Sequence, residues 1–157
     1  MKTIETQIIE KLIKNKQTIA VAESLTGGLV IAKLVNVSGA SKVVKGSVTA
    51  YTLDIKEKVL SIPLTHTSKT DGVDFETARM MAKNVSVLMD SDYGISTTGI
   101  AESWDEREEQ AFICIYDRTK NTYFEEHLTY GSKTNNTRDS IRQSVVDTLL
   151  TTFLTKI

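Results

Sequence analysis

Apolar residues along this chain follow two periods, near 3.6 and near 2, and the switches between them lay out alternating helices and strands. Ile4, Ile8, Ile9, Leu12 and Ile13 recur at helical spacing within residues 3–15, predicting an amphipathic helix that packs on a sheet. Thr18–Ala22 is short, apolar and rich in β-branched residues, as a buried strand is. Leu29, Val30, Ala32, Leu34 and Val35 return to helical spacing. Gly46–Thr52 alternates at period two and predicts a strand, after which Asp54 can cap a short helix over Ile55–Leu60. Pro63, the only proline, ends that unit.

Residues 64–73 are polar and read as a loop. Asp74 then opens a strong helix with Phe75, Ala78, Met81, Ala82, Val85, Leu88 and Met89 on one stripe, a core face and not a ligand surface. Tyr93–Thr98 predicts the next strand, with Thr98–Ala101 as its exit turn. Ala111–Tyr116 and Tyr123–Thr129 read as a hairpin around Asp117–Asn121. Polar residues 131–137 lead into a last helix, Arg138–Phe153, whose buried stripe is Ile141, Val145, Leu149 and Phe153. This alternation is the pattern of an α/β fold.

At 157 residues and 17.4 kDa the chain fits one domain with a real core. Its 40% hydrophobic and 25% charged residues are ordinary for a globular protein, and a formal net charge of −1 points to neither a nucleic-acid nor a membrane-surface binder. No apolar run approaches the length of a membrane span, and the N-terminal stretch carries Glu5 and Glu10, a helix pattern and not a signal peptide. The lone Cys114 lies in the apolar run Phe112–Tyr116 and reads as packing in a reducing, cytoplasmic setting. With that one cysteine and two distant histidines, His66 and His127, no metal-ligand cluster is expected, and no cofactor is implied.

Candidate chemistry gathers on Thr18–Leu29. A strand, the polar turn Glu23-Ser24-Leu25-Thr26-Gly27-Gly28 and a helix start place backbone N–H groups around one point, with Ser24 on the turn and Thr26 as a natural N-cap. Ligands of open α/β sheets bind beyond the carboxyl ends of the strands, where this turn lies. An ordinary capped strand–helix turn reads the same way. Lys56 near the start of a helix opposes the helix dipole, so it has another partner or sits in solvent. Arg138 and Arg142 likewise crowd two cations at i,i+4 into a helix N-terminus. An anion such as a phosphate between them resolves that, and so do two solvated arginines near carboxylates.

Ala22-Glu-Ser-Leu-Thr-Gly-Gly28, Ser38-Gly-Ala-Ser41, Val48-Thr-Ala-Tyr51, Lys56, Thr98-Gly-Ile-Ala101 and the spacing Arg138–Arg142 together resemble the CinA C-terminal-domain family. The resemblance runs in order from about Leu12 to Phe153. It implies a single-domain α/β/α sandwich over 1–157, with a central mixed sheet flanked by helices, and a nicotinamide mononucleotide deamidase activity. It further implies Ser24 as the nucleophile, assisted by Tyr51 and Lys56 through proton transfer and electrostatics. Thr98 matches the family's hydroxyl position in the substrate site, with Gly99 beside it, and Arg142, with Arg138, matches the phosphate end. A Lys or Tyr base suits a serine with no histidine near it in sequence, and the turn amides of Thr26, Gly27 and Gly28 would supply oxyanion donors and substrate contacts. The implied partner is a phosphorylated small molecule, with a homo-oligomer also compatible.

The chain departs from the family pattern after Thr98–Ala101. A Gly- and Pro-rich run is replaced by Glu102-Ser-Trp-Asp-Glu-Arg-Glu-Glu109, and the later P-V-G-T by Gln110–Ile113. A serine before the long helix is lost at Asp71–Phe75, a cysteine becomes Leu25 and an asparagine becomes Leu53. Without glycines the loop cannot lay backbone over a nucleotide, and its carboxylates repel phosphate. The expectation is a loop that is mobile or turned outward, leaving the pocket open, with low or absent deamidase activity. Two functions follow from this balance: an amidohydrolase, weakened or with altered substrate, or an impaired relative acting as a binding or protein-interaction module.

Overall fold

The computed structural model describes residues 1–131 and 136–157. Among these residues five strands form one mixed sheet: β1 (Ile19–Glu23), β2 (Val44–Thr49), β3 (Tyr93–Ile100), β4 (Gln110–Asp117) and β5 (Thr122–Thr129), in the spatial order β2-β1-β3-β4-β5. β1 runs parallel to both β2 and β3, whereas β4 and β5 join antiparallel. The helices are α1 (Ile4–Asn15), α2 (Leu29–Val35), α3 (Leu53–Leu60), α4 (Leu64–Thr67), α5 (Phe75–Met89) and α6 (Arg138–Lys156). The fold is the expected α/β sandwich with a central mixed sheet. Of the polar lead-in at 131–137, residues 132–135 lie outside the described residues.

Strand alternation sorts the core into two layers. Ile19, Val21, Ile95, Ile113 and Ile115 face α1, α2 and α6, meeting Ile8, Leu12, Leu34, Val145, Leu149 and Phe153. The opposite face carries Ala20 and Ala22 against Leu60 of α3 and Met81 and Val85 of α5, with Phe112, Cys114 and Tyr116 packed on Ala78 and Ala82. Small residues here let α5 lie very close to the sheet. A Cβ on Gly94 would stand 1.8 Å from the Ala82 carbonyl oxygen, and Ser96 Oγ donates to Ala78 O at 2.6 Å. The four apolar positions read for α6 are all buried.

The polypeptide leaves β1 through α2 to reach β2 on one side, then returns through α3, α4 and α5 to β3 on the other. The carboxyl end of β1 is therefore a topological switch point, where such sheets open a crevice. Several local expectations shift. The 64–73 stretch contains the one-turn helix α4, and β3 runs on through Thr98 and Gly99 to Ile100 because those residues pair with Phe112, Ala111 and Gln110. Thr52 occupies the N-cap of α3, with Asp54 in its first turn. Asp74, read as the start of α5, is its N-cap and accepts the Thr77 N–H at 2.6 Å, so an aspartate serves where the family serine is lost.

Candidate active site

The turn after β1 is built around a buried carboxylate. Glu23, fully buried at the strand end, accepts the N–H groups of Val30 and Ile31 at 2.9 and 3.1 Å and the Thr26 hydroxyl at 2.7 Å. The anion that satisfies the N-terminus of α2 is thus the protein's own. Thr26 is not the N-cap. That position is Gly28, and the Thr26 hydroxyl is buried between Glu23 and Thr97. Gly27 and Gly28 take φ of +60° and +104°, a left-handed path that turns the chain tightly enough for Glu23 to reach forward into α2. The Gly27 N–H donates to Ser24 O, so of the three expected oxyanion donors this one serves the turn, and the Leu29 N–H closes the turn on Thr26 O. Thr26, Gly27 and Gly28 shape the site from behind and do not line its cavity.

Ser24 is held at the other end by its N–H on Thr97 O at 3.0 Å. Lys56 meets it from α3. The Lys56 side chain is only 2% exposed, and its Nζ lies 2.9 Å from Ser24 Oγ, 2.8 Å from Ala50 O and 3.2 Å from Tyr51 O. Burial pulls its pKa from 10.5 to about 8, against the opposing pull of the Asp71 carboxylate. Protonated, the ammonium has three N–H groups for three acceptors. Neutral, it keeps two for the carbonyls and turns its lone pair toward the serine hydroxyl. The lysine that opposed the helix dipole in the sequence has found its reason.

Tyr51 enters this group through its backbone. Its carbonyl oxygen accepts from Lys56 and stands 3.5 Å from Ser24 Oγ, while the ring is 54% exposed and its hydroxyl accepts from Arg138 Nη2 at 2.8 Å. The phenol is therefore engaged with Arg138 and not with the serine. Thr98 Oγ1 lines the cavity and donates to Gly72 O at 2.6 Å, fixing the segment that carries Asp71. Gly99 also lines it, and its lack of a side chain is required by strand pairing, since a Cβ would stand 2.3 Å from Gln110 O.

The two arginines part company. Arg142 Nε donates to Leu25 O at 2.8 Å and its Nη2 to Thr26 O at 3.1 Å, so it braces the serine turn and does not line the cavity. Arg138 does line it, with Glu102 at 3.8 Å. The expected shared anion between them gives way to two separate tasks.

The loop after β3 is not turned away from the pocket, which corrects the outward half of the expectation, although Trp104 is 84% exposed. Glu102, Trp104 and Arg107 form part of the wall of a cavity of about 400 Å³ that also includes Ser24, Lys56 and Arg138. Glu109 ties the loop back, accepting the Ser103 N–H at 3.3 Å through its carboxylate and the Tyr130 N–H at 3.1 Å through its carbonyl. Arg107 pairs with Asp105 at 2.8 Å and reaches Asp71 at 3.4 Å. Among the described residues the wall thus holds three cations (Lys56, Arg107, Arg138) against two carboxylates (Asp71, Glu102), and the acidic loop does not make it anionic. Sequence reasoning missed Glu23, Asp71 and Arg107. Only Glu23 carried a signal, as an acid directly before the serine.

Elsewhere, Cys114 is fully buried and its thiol is pushed up to about 12 by desolvation, the state of a packing residue. Among the described residues no group of three or more His, Cys, Asp or Glu side chains is placed to hold a metal ion, and no helix is long and apolar enough to cross a membrane.

The family model for the CinA C-terminal domain matches residues 1–157. A CinA-like protein of Thermosipho melanesiensis is 37% identical over 132 residues, covering 82% of this chain and 32% of the relative. A putative competence-damage inducible protein of a Thermoanaerobacter species is 45% identical over 98 residues, covering 62% and 24%. The matches thus span 24% to 32% of the length of these longer relatives. The crystal structure of a competence/damage inducible protein, CihA, from Agrobacterium tumefaciens has a TM-score of 0.89 at 24% identity, covering 97% of this chain and 92% of that one; this likeness is one of fold. The chain belongs to the CinA C-terminal domain family.

Proposed function

From that membership we propose that this chain is an amide hydrolase of the nicotinamide mononucleotide deamidase type, using Ser24 as nucleophile and Lys56 as base. The observation that carries the reading is the buried Lys56 Nζ, 2.9 Å from Ser24 Oγ at the wall of a cavity. Neutral Lys56 takes the hydroxyl proton as Ser24 Oγ bonds to the amide carbon, giving a tetrahedral adduct. The ammonium returns that proton to the amide nitrogen, the C–N bond breaks, and ammonia leaves an ester on Ser24. Water then attacks the ester with Lys56 again as base, releasing the carboxylic acid and restoring the serine. The Ala50 and Tyr51 carbonyls hold Nζ throughout, so the lysine does not have to reorganise between steps. The scheme draws on no cofactor.

Release of ammonia from nicotinamide mononucleotide by the purified chain tests the proposal. Turnover by wild type, with none above background in a folded Ser24→Ala variant, supports it; equal turnover by the variant removes Ser24 as nucleophile. A second reading is favoured by Glu102, which stands beside Arg138 and competes with any anion for it. On it the chain binds a ligand or a protein without turning it over. Nucleotide binding with no ammonia release selects that reading.

A further inference from the structure

We propose that Arg107 determines substrate specificity at this cavity, receiving the phosphate monoester of the ligand through the edge of its guanidinium that faces Asp71. The proposal rests on the nucleotide-site reading above, but not on hydrolysis.

The distribution of cations carries it. Arg142, placed at the phosphate end by sequence, spends Nε and Nη2 on Leu25 O and Thr26 O, and withdrawing it would release the turn that holds Ser24. The guanidinium groups on the cavity wall are those of Arg138 at the start of α6 and Arg107 on the loop after β3. Asp105 grips Arg107 along one edge, accepting from Nε at 2.8 and 3.0 Å and approaching Nη2 at 2.8 Å, and it also accepts the Arg107 backbone N–H at 2.8 Å. That grip orients the guanidinium and leaves Nη1 directed at Asp71, at 3.4 Å. Charge-assisted pairs normally close to about 2.7–2.9 Å, so the Asp71 contact is loose. Glu102 at 3.8 Å from Arg138 is looser still. A phosphate dianion presents more charge and more acceptors than either carboxylate and can displace Asp71 from Arg107. The loop that lacks the family's glycines thus offers the cavity one oriented side chain, and Asp105 aims it.

Binding to the Ser24→Ala background separates this from catalysis. Isothermal calorimetry, with emission of Trp104 (the only tryptophan, on the same wall) as a companion signal, is applied to nicotinamide mononucleotide and to nicotinamide riboside, which lacks the phosphate. Adding Arg107→Ala is expected to weaken the mononucleotide tenfold or more and leave the riboside unchanged, with Arg107→Lys intermediate. Unchanged mononucleotide affinity overturns the proposal, as does equal weakening of both ligands, which would mark Arg107 as a loop brace only. Failure of the Ser24→Ala protein to bind the mononucleotide at all also overturns it. Arg107-dependent binding in a chain that releases no ammonia would uphold this inference while removing the hydrolase reading.

Discussion

Lys56 Nζ stands 2.9 Å from Ser24 Oγ although 32 residues separate them in the chain. The contact is made at the switch point, where the turn after β1 and the first turn of α3 converge. Lys56→Met keeps the length and apolar stem while removing the lone pair. Turnover of an amide substrate should fall by about a hundred- to ten-thousand-fold, the usual worth of a positioned base. The Ala50 and Tyr51 carbonyls lose a donor, so urea titration should accompany the kinetics. Retained turnover in the folded variant would show that Lys56 is not the base.

The pH profile follows from the same group. Only neutral Lys56 accepts the serine proton, so kcat/KM should rise with pH and level off above about 8. The Asp71 charge raises that pKa, so Asp71→Asn should move the acid limb to lower pH and raise the relative activity near neutrality. A shift to higher pH would contradict the assignment. Stability carries the same signature. Because burial lowers Lys56 below its unfolded value of 10.5, its contribution declines as pH falls from 10.5 through about 8 and is flat below. Denaturant midpoints over that window should lose this slope in Lys56→Met.

Arg142 separates bracing from ligand binding. Its two contacts on Leu25 O and Thr26 O are each worth about 1.5–3 kcal/mol as charged hydrogen bonds. Arg142→Ala should lower kcat roughly tenfold or more as Ser24 loses its fixed distance to Lys56, with little change in KM. Arg142→Lys should restore part of the rate by reaching one carbonyl. A rise in KM confined to phosphorylated substrates would instead make Arg142 the anion ligand that its sequence position suggested.

Elements that announce themselves by local pattern were legible. α1, α5 and α6 appear near their expected positions because their burial is periodic, and the strands because short apolar or alternating runs are bounded by polar turns; Ser24 and Lys56 stood out as polar residues at places where packing did not explain them. What was hidden depends on reach. Nothing local says that Arg142 turns inward onto Leu25 and Thr26 whereas Arg138, four residues earlier, turns to Tyr51. The 102–110 loop was misjudged because its acids were counted as free charges. Asp105 is spent on Arg107, and the Glu109 carboxylate on a backbone N–H.

Glu23 offers the sharpest test of how the serine turn is made. A buried carboxylate is tolerable only when its oxygens are fully used, and here they take two backbone N–H groups and a hydroxyl. Glu23→Ala would strand the Val30 and Ile31 amides in a dry interior and leave the Thr26 hydroxyl with Thr97 as its sole partner. The expected loss is about 3 kcal/mol or more in urea titration. Glu23→Gln keeps one acceptor oxygen but places an NH₂ group against the Thr26 hydroxyl or against an N–H donor, so it should cost less, about 1–2 kcal/mol. It should also lower turnover more than it raises KM, since the turn bearing Ser24 shifts while the arginines of the cavity wall do not. A Glu23→Gln protein with wild-type stability and rate would mean that α2 finds its cap elsewhere, and that the acid before the serine does not hold it.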